Sequence, residues 1–174
     1  MLLPYNCAIN KYALPKDGFT DVGKGALVEG ENYVRSLAYH KSTGLLYAGV
    51  GSHAHLIELN PLTGAKKEIL PAKYQDREFV YGLEIVAGKD GNDRLLALLT
   101  AVNITLVYNL KTKKVEQEIS DMDMKSVSSS ATRQVFYTGK TNLYSFDPTK
   151  NVSTARQLAA NVGSANAFYW AKDK

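Results

Sequence analysis

The chain has 174 residues, is 45% hydrophobic and carries a formal net charge of +4. Its apolar residues fall in short runs, none near the ~18–20 residues of a membrane span, and its lysines gather at turns rather than in the aromatic-laced basic stripe of a nucleic-acid surface. No membrane or nucleic-acid partner is therefore expected, and the single cysteine, Cys7, excludes an internal disulfide framework and a cysteine-based zinc site.

Met1 to Asn10 (MLLPYNCAIN) lacks a basic start and carries Pro4, so it does not read as a signal peptide. Residues 1–16 are expected to form an N-terminal extension. From residue 17 no long helical period appears; short β-rich segments alternate with turn signals, the pattern of an all-β chain. "FTDVGKGALVEGENY" (Phe19 to Tyr33) leads in with a strand. Three self-similar stretches follow, over 34–70, 80–119 and 125–158, each reading as four strands. The turns correspond: Asn60-Pro61-Leu62-Thr63-Gly64 with Asn109-Leu110-Lys111-Thr112 and with Asp147-Pro148-Thr149-Lys150. Asn or Asp opening such a turn bonds its own backbone two residues on. Third strands are predicted near Leu56–Leu59, Thr105–Tyr108 and Leu143–Phe146. A new first strand is predicted at Ala167 to Lys172.

A spacing of about 40–50 residues with four strands per unit is the content of a propeller blade. The predicted fold is therefore all-β: a partial β-propeller of about three four-stranded antiparallel blades, with flanking blade strands, over 17–174. "LLYAGVGSHAHLIELNPLTGAKKEIL" resembles the blades of bacterial WD40-like and PQQ-like β-propeller repeat proteins, in which a strand runs into D/N-P-x-T-G and the next begins with lysines. The strict WD dipeptide and the Trp-bearing docking motif of PQQ enzymes are absent, so neither activity is carried over. Propellers of this kind have roughly six to eight blades; the chain is expected to be a fragment, a truncated reading frame or half of an assembly. An open end should expose an apolar blade face, at Leu37, Leu46 and Leu56 first and at Leu143, Phe146, Phe168 and Trp170 last.

The resemblance places the second-to-third and fourth-to-first connections on one binding face. His53 and His55, Tyr33 and Arg35, Lys73, Tyr74, Asp76 and Arg77, and Tyr81 should gather there. Arg offers a bidentate fork to an anion and aromatic rings stack on sugars. The primary expectation is a non-catalytic binding or scaffold module of a larger bacterial surface or secreted propeller protein, with a glycan ligand. Its other partners are a second copy or the remaining blades of a longer chain. No compartment is assigned to the chain itself. The alternative follows from a similarity in style to propeller-type polysaccharide lyases acting on uronic-acid polymers by β-elimination: His53 or His55 as base, Tyr81 as acid and Arg35 neutralising the carboxylate. A metal is not expected, because an H-x-H pair needs a third ligand and only Asp, Glu or the remote His40 is on offer; no cofactor is expected either. Against all of these stands a loop-residue reading, since the counterparts of the two histidines are Val102 and Ile104, then Lys140 to Asn142. The sequons at Asn103, expected inside a strand, and at Asn151 read as chance matches, and Ser128 to Ser130 as a strand end.

Overall fold

The computed structural model describes residues 9–12, 19–31, 33–75, 79–88, 90–120, 122–130, 134–139, 141–151 and 154–163. The predicted strand at Ala167 to Lys172, with Phe168 and Trp170, lies outside them. So do most of the N-terminal extension, Asp76 and Arg77.

A short antiparallel ribbon, β1 (Asn10–Tyr12) with β2 (Phe19–Asp21), precedes three four-stranded antiparallel sheets. The first sheet holds β3 (Tyr33–His40), β4 (Leu45–Gly51), β5 (His55–Leu59) and β6 (Lys66–Glu68). The second holds β7 (Gly82–Val86), β8 (Arg94–Leu99), β9 (Ile104–Asn109) and β10 (Lys114–Ile119). The third holds β11 (Met124–Ser129), β12 (Val135–Gly139), β13 (Asn142–Phe146) and β14 (Arg156–Ala159). In every sheet the strands pair in chain order, as meanders. Among the described residues the only helical pieces are 3-10 turns at Ala72–Tyr74 and Thr100–Val102. This is the expected partial β-propeller, and its third strands fall where the repeat puts them.

The turn from third to fourth strand explains why the repeats fold alike. Asn60 Oδ1 accepts from the amides of Leu62 and Thr63, at 2.9 and 3.2 Å. Asn109 Oδ1 accepts from Lys111 and Thr112, both at 2.9 Å, and Asp147 Oδ1 from Thr149 at 3.0 Å. One short side chain thus supplies the turn with an acceptor before the next strand is made. Gly64 closes the first turn at φ 75°; Lys113 takes the same left-handed place in the second at φ 58°. Asn103 does not lie inside a strand: it ends the Thr100–Val102 turn in a left-handed conformation, just before β9.

The chain divides into two compact units after Tyr81. In the first, Ala48, Val50, Ile57 and Leu59 share one sheet face, and Val22 and Leu27 pack against it. In the second, Val86, Leu96, Leu98, Val107 and Ile119 form one cluster with Met124, Val135, Tyr137 and Phe146, so two sheets share a core. Full burial of each large aliphatic side chain stabilises by about 1.5–3 kcal/mol.

Tyr137 is the polar exception in that core. Its ring stacks on Tyr144 at 5.1 Å and meets Phe146 edge-on at 5.7 Å, but its buried hydroxyl has no hydrogen-bond partner among the described residues. Burial, with a further push from Tyr144, holds that hydroxyl far above its ordinary titration range. Because an orphaned buried hydroxyl costs roughly 1–3 kcal/mol, Tyr137→Phe should stabilise the protein by about 1 kcal/mol. A raised urea midpoint at unchanged slope would confirm it; a lowered one would contradict it.

Candidate functional site

The site begins at an irregularity in β3. Val34 pairs with Val50 and Ser36 with Gly49, leaving Arg35 as the extra residue of a bulge. A bulge bends its strand and re-aims a side chain. Here the Arg35 guanidinium carbon lies 4.4 Å from the centre of the Tyr33 ring and 4.8 Å from that of Phe79. Tyr81 continues the cluster, its ring centre 5.8 Å from that of Phe79 and tilted by 44°. Tyr33, Arg35 and Tyr81 are exposed and Phe79 is half-buried. Arginine between two rings keeps its donors available at the edge of the stack while cation–π attraction fixes its plane.

Two glycines let the segment carrying Phe79 come this close. A Cβ on Gly49 would overlap Ser36 Oγ and the Val80 carbonyl oxygen, and one on Gly51 would overlap Phe79. The approach is fastened by Ser36 Oγ donating to the Val80 carbonyl at 3.1 Å. Val80 is buried while its neighbours Phe79 and Tyr81 turn the other way. The alternation in Phe79-Val80-Tyr81 was the available signal for Phe79, which the list of expected site residues lacks.

The histidines do not form one pair. His53 lies in the turn after β4; its Nδ1 is 2.8 Å from Glu31 Oε1, and its backbone N–H donates to the same carboxylate at 3.2 Å. Its side chain is 71% exposed, whereas Glu31 is buried. His55 opens β5 and its Nδ1 is 2.7 Å from Glu68 Oε2; its side chain is only 20% exposed. Glu68 Oε1 also accepts from the amides of Leu56 and Leu70, at 3.1 and 2.8 Å, so His55 is tied into the β5–β6 framework. No group of three His, Cys, Asp or Glu suited to a metal occurs among the described residues.

Tyr33 pairs with Gly51, directly before the His53 turn, and Glu31 precedes Tyr33 by two residues. One end of the first sheet therefore carries Tyr33, Arg35, Phe79 and the Glu31–His53 pair. Lys73 and Tyr74 sit on the 3-10 turn, with Lys73 Nζ 4.5 Å above the Tyr74 ring. Tyr74 is buried, so its ring packs inward. In the second unit, Arg94 binds Asp90 through Nη1 and Nη2, at 2.5 and 2.8 Å, and Glu116 through Nε at 3.0 Å. These charges fasten the turn between β7 and β8 and hold the Asp90 carboxyl well below the usual carboxylate range, chiefly through the Arg94 hydrogen bonds.

No family model matches the chain, and no curated protein matches it. Solved structures do. An inactive variant of virginiamycin B lyase from Staphylococcus aureus, with quinupristin, matches at TM-score 0.64 and 10% identity, over 92% of this chain and 50% of that one. The extracellular domain of a hybrid two-component system from B. thetaiotaomicron matches at TM-score 0.60 and 13% identity, over 91% of this chain and 21% of that one. Both are propeller-like folds. The likeness is one of fold alone. This chain spans half the length of the lyase it matches and about a fifth of the sensor domain.

The Glu31–His53 pair has a pH signature. Burial pushes the Glu31 carboxyl up, but hydrogen bonds from the His53 ring and amide, the His53 charge and the Ser52 amide outweigh it, leaving it below its ordinary 4.5. A carboxyl lowered on folding contributes stability that is full above its unfolded value and lost as pH falls through the folded one. Glu31→Gln should therefore cost roughly 1–3 kcal/mol at neutral pH, with a gap that closes as pH drops below 4.5. Denaturant titrations of both proteins at neutral pH and near pH ~3 check this; a pH-independent gap would contradict it.

Proposed function

We propose that the end of the first sheet bearing Tyr33, Arg35, Phe79 and Tyr81 binds an anionic glycan, the chain acting as a binding module of a propeller protein. The observation that carries this is the stacking of Arg35 over the Tyr33 and Phe79 rings. A cation fixed in orientation beside exposed aromatic rings suits a ligand that joins a carboxylate to a sugar ring: the fork takes the carboxylate and the rings take the apolar sugar face. His53 adds a polar group at the same end, and its Nδ1 is engaged by Glu31.

That last contact favours a second reading, β-elimination on a uronic-acid glycan. A buried carboxylate bound to Nδ1 orients the ring and leaves Nε2 as the basic nitrogen. Nε2 of His53 would take the C5 proton of the uronate, with Arg35 neutralising its carboxylate. The electron pair would form the C4–C5 double bond, the C4–O bond would break, and Tyr81 would protonate the leaving oxygen.

Calorimetric titration with an oligomer of uronic acid and with a neutral oligosaccharide of equal length tests both readings. The acidic ligand alone should bind, and Arg35→Ala or Phe79→Ala should weaken it at least about tenfold, or 1.4 kcal/mol. Absence of binding, or equal binding of both ligands, would overturn the proposal. Ultraviolet absorbance from an unsaturated product, abolished in His53→Ala, would favour elimination; binding without product favours the module.

A further inference from the structure

The pair that precedes the second-to-third connection aligns the three sheets: Val50 with His55, Leu99 with Ile104 and Gly139 with Asn142. Counting back along the second strands, Leu46 and Ala48 correspond to Leu95 and Ala97 and to Val135 and Tyr137. The last four are fully buried. Val135 and Tyr137 are covered by the preceding sheet, through Val86, Leu96 and Val107. This face of a repeat thus receives the sheet before it.

In the first sheet the corresponding face is only partly covered. Val22 and Leu27 lie over Ala48. Leu37 and Tyr39, which pair with Ala48 and Leu46, remain 48% and 58% exposed, and Leu62 on the neighbouring turn is 93% exposed. Together with Ile9, Val22 and Leu46 they line an open apolar groove of about 430 Å³. Leu56, expected on this exposed face, is buried instead. Strand alternation turns it to the other side of the sheet from Ile57 and Leu59.

We infer that this groove is the docking surface for a second copy of the chain, entered by that copy's last sheet. Three observations choose the occupant. The face is one that, in the third sheet of this same chain, is covered by another four-stranded repeat rather than by a helix or a loop. The chain carries a second apolar patch of its own at Leu158 on β14 and at Val162 just beyond it, 44% and 49% exposed. The lyase fold that superposes on nearly the whole of this chain contains as much again, which a second copy supplies. Because the groove and the Leu158–Val162 patch are unlike surfaces, the contact is heterologous, and two copies make it twice and close. Contiguous exposed apolar surface and an open sheet edge both favour the association.

Sedimentation velocity on the whole chain tests this, at concentrations from about 1 to 200 μM, the range in which an interface of ordinary size assembles. The expected species has twice the 19.1 kDa chain mass. Leu62→Asp, on an exposed turn where folding does not depend on it, should give a monomer, as should Leu158→Glu, each with an unchanged circular dichroism spectrum. Mixed in equal amounts, the two variants should re-form a dimer, since one retains an intact groove and the other an intact patch. A monomeric parent chain, a larger open assembly, or a Leu158→Glu protein that stays dimeric would each overturn the inference. Should Leu158→Glu lose its fold, Val162→Asp takes its place in the same scheme.

Discussion

The second strand of each sheet is buried on both faces, and the rest of the fold follows from that constraint. Every residue of β8 is buried, as are Tyr47 to Gly51 of β4. A strand with two apolar faces cannot lie on the surface of a single sheet layer; it requires a neighbour on each side. The described residues meet that need in two ways. A sheet packs on a sheet in the second unit, and an N-terminal segment packs on a sheet in the first. The exposed Leu37 and Tyr39 mark where coverage stops.

The same constraint makes the functional end of the first sheet possible. With β4 buried on both faces, its glycines serve close approach rather than flexibility. Gly49 and Gly51 admit the Phe79–Tyr81 segment against the strand, and the bulge at Arg35 swings a cation onto Phe79. The site is thus composed of one bulge, two missing Cβ atoms and one aromatic pair, all within residues 31–81. Its histidines are held differently because their carboxylates come from different places. Glu31 precedes β3 and leaves His53 at the surface; Glu68 lies in β6 and draws His55 into the sheet.

The parts of this that were legible in the sequence are those with local causes. Asn60, Asn109 and Asp147 act on amides two and three residues ahead, so the turn chemistry was readable and fixed the position of each third strand. The period of the repeats then implied the meander. Contacts across register were not readable. Nothing near His53 in sequence points to Glu31, 22 residues earlier. Phe79 becomes a partner of Arg35 only once Ser36 and Gly49 bring Val80 in. Tyr74, expected beside the ligand, packs inward because the short helical turn rotates it away from its exposed neighbour Lys73. Single residues announce turns, whereas sites depend on pairings that the sheet must first create.

The claim that the second strands are the two-sided core can be measured directly by native-state hydrogen exchange resolved to individual amides. Amides of β4, β8 and β12 should exchange only through global unfolding, with matching free energies and matching dependence on denaturant. Amides of β6 and β14, at the sheet edges, should exchange through smaller openings. Exchange of the β8 amides as fast as those of β6, at denaturant concentrations far below the unfolding midpoint, would contradict the account.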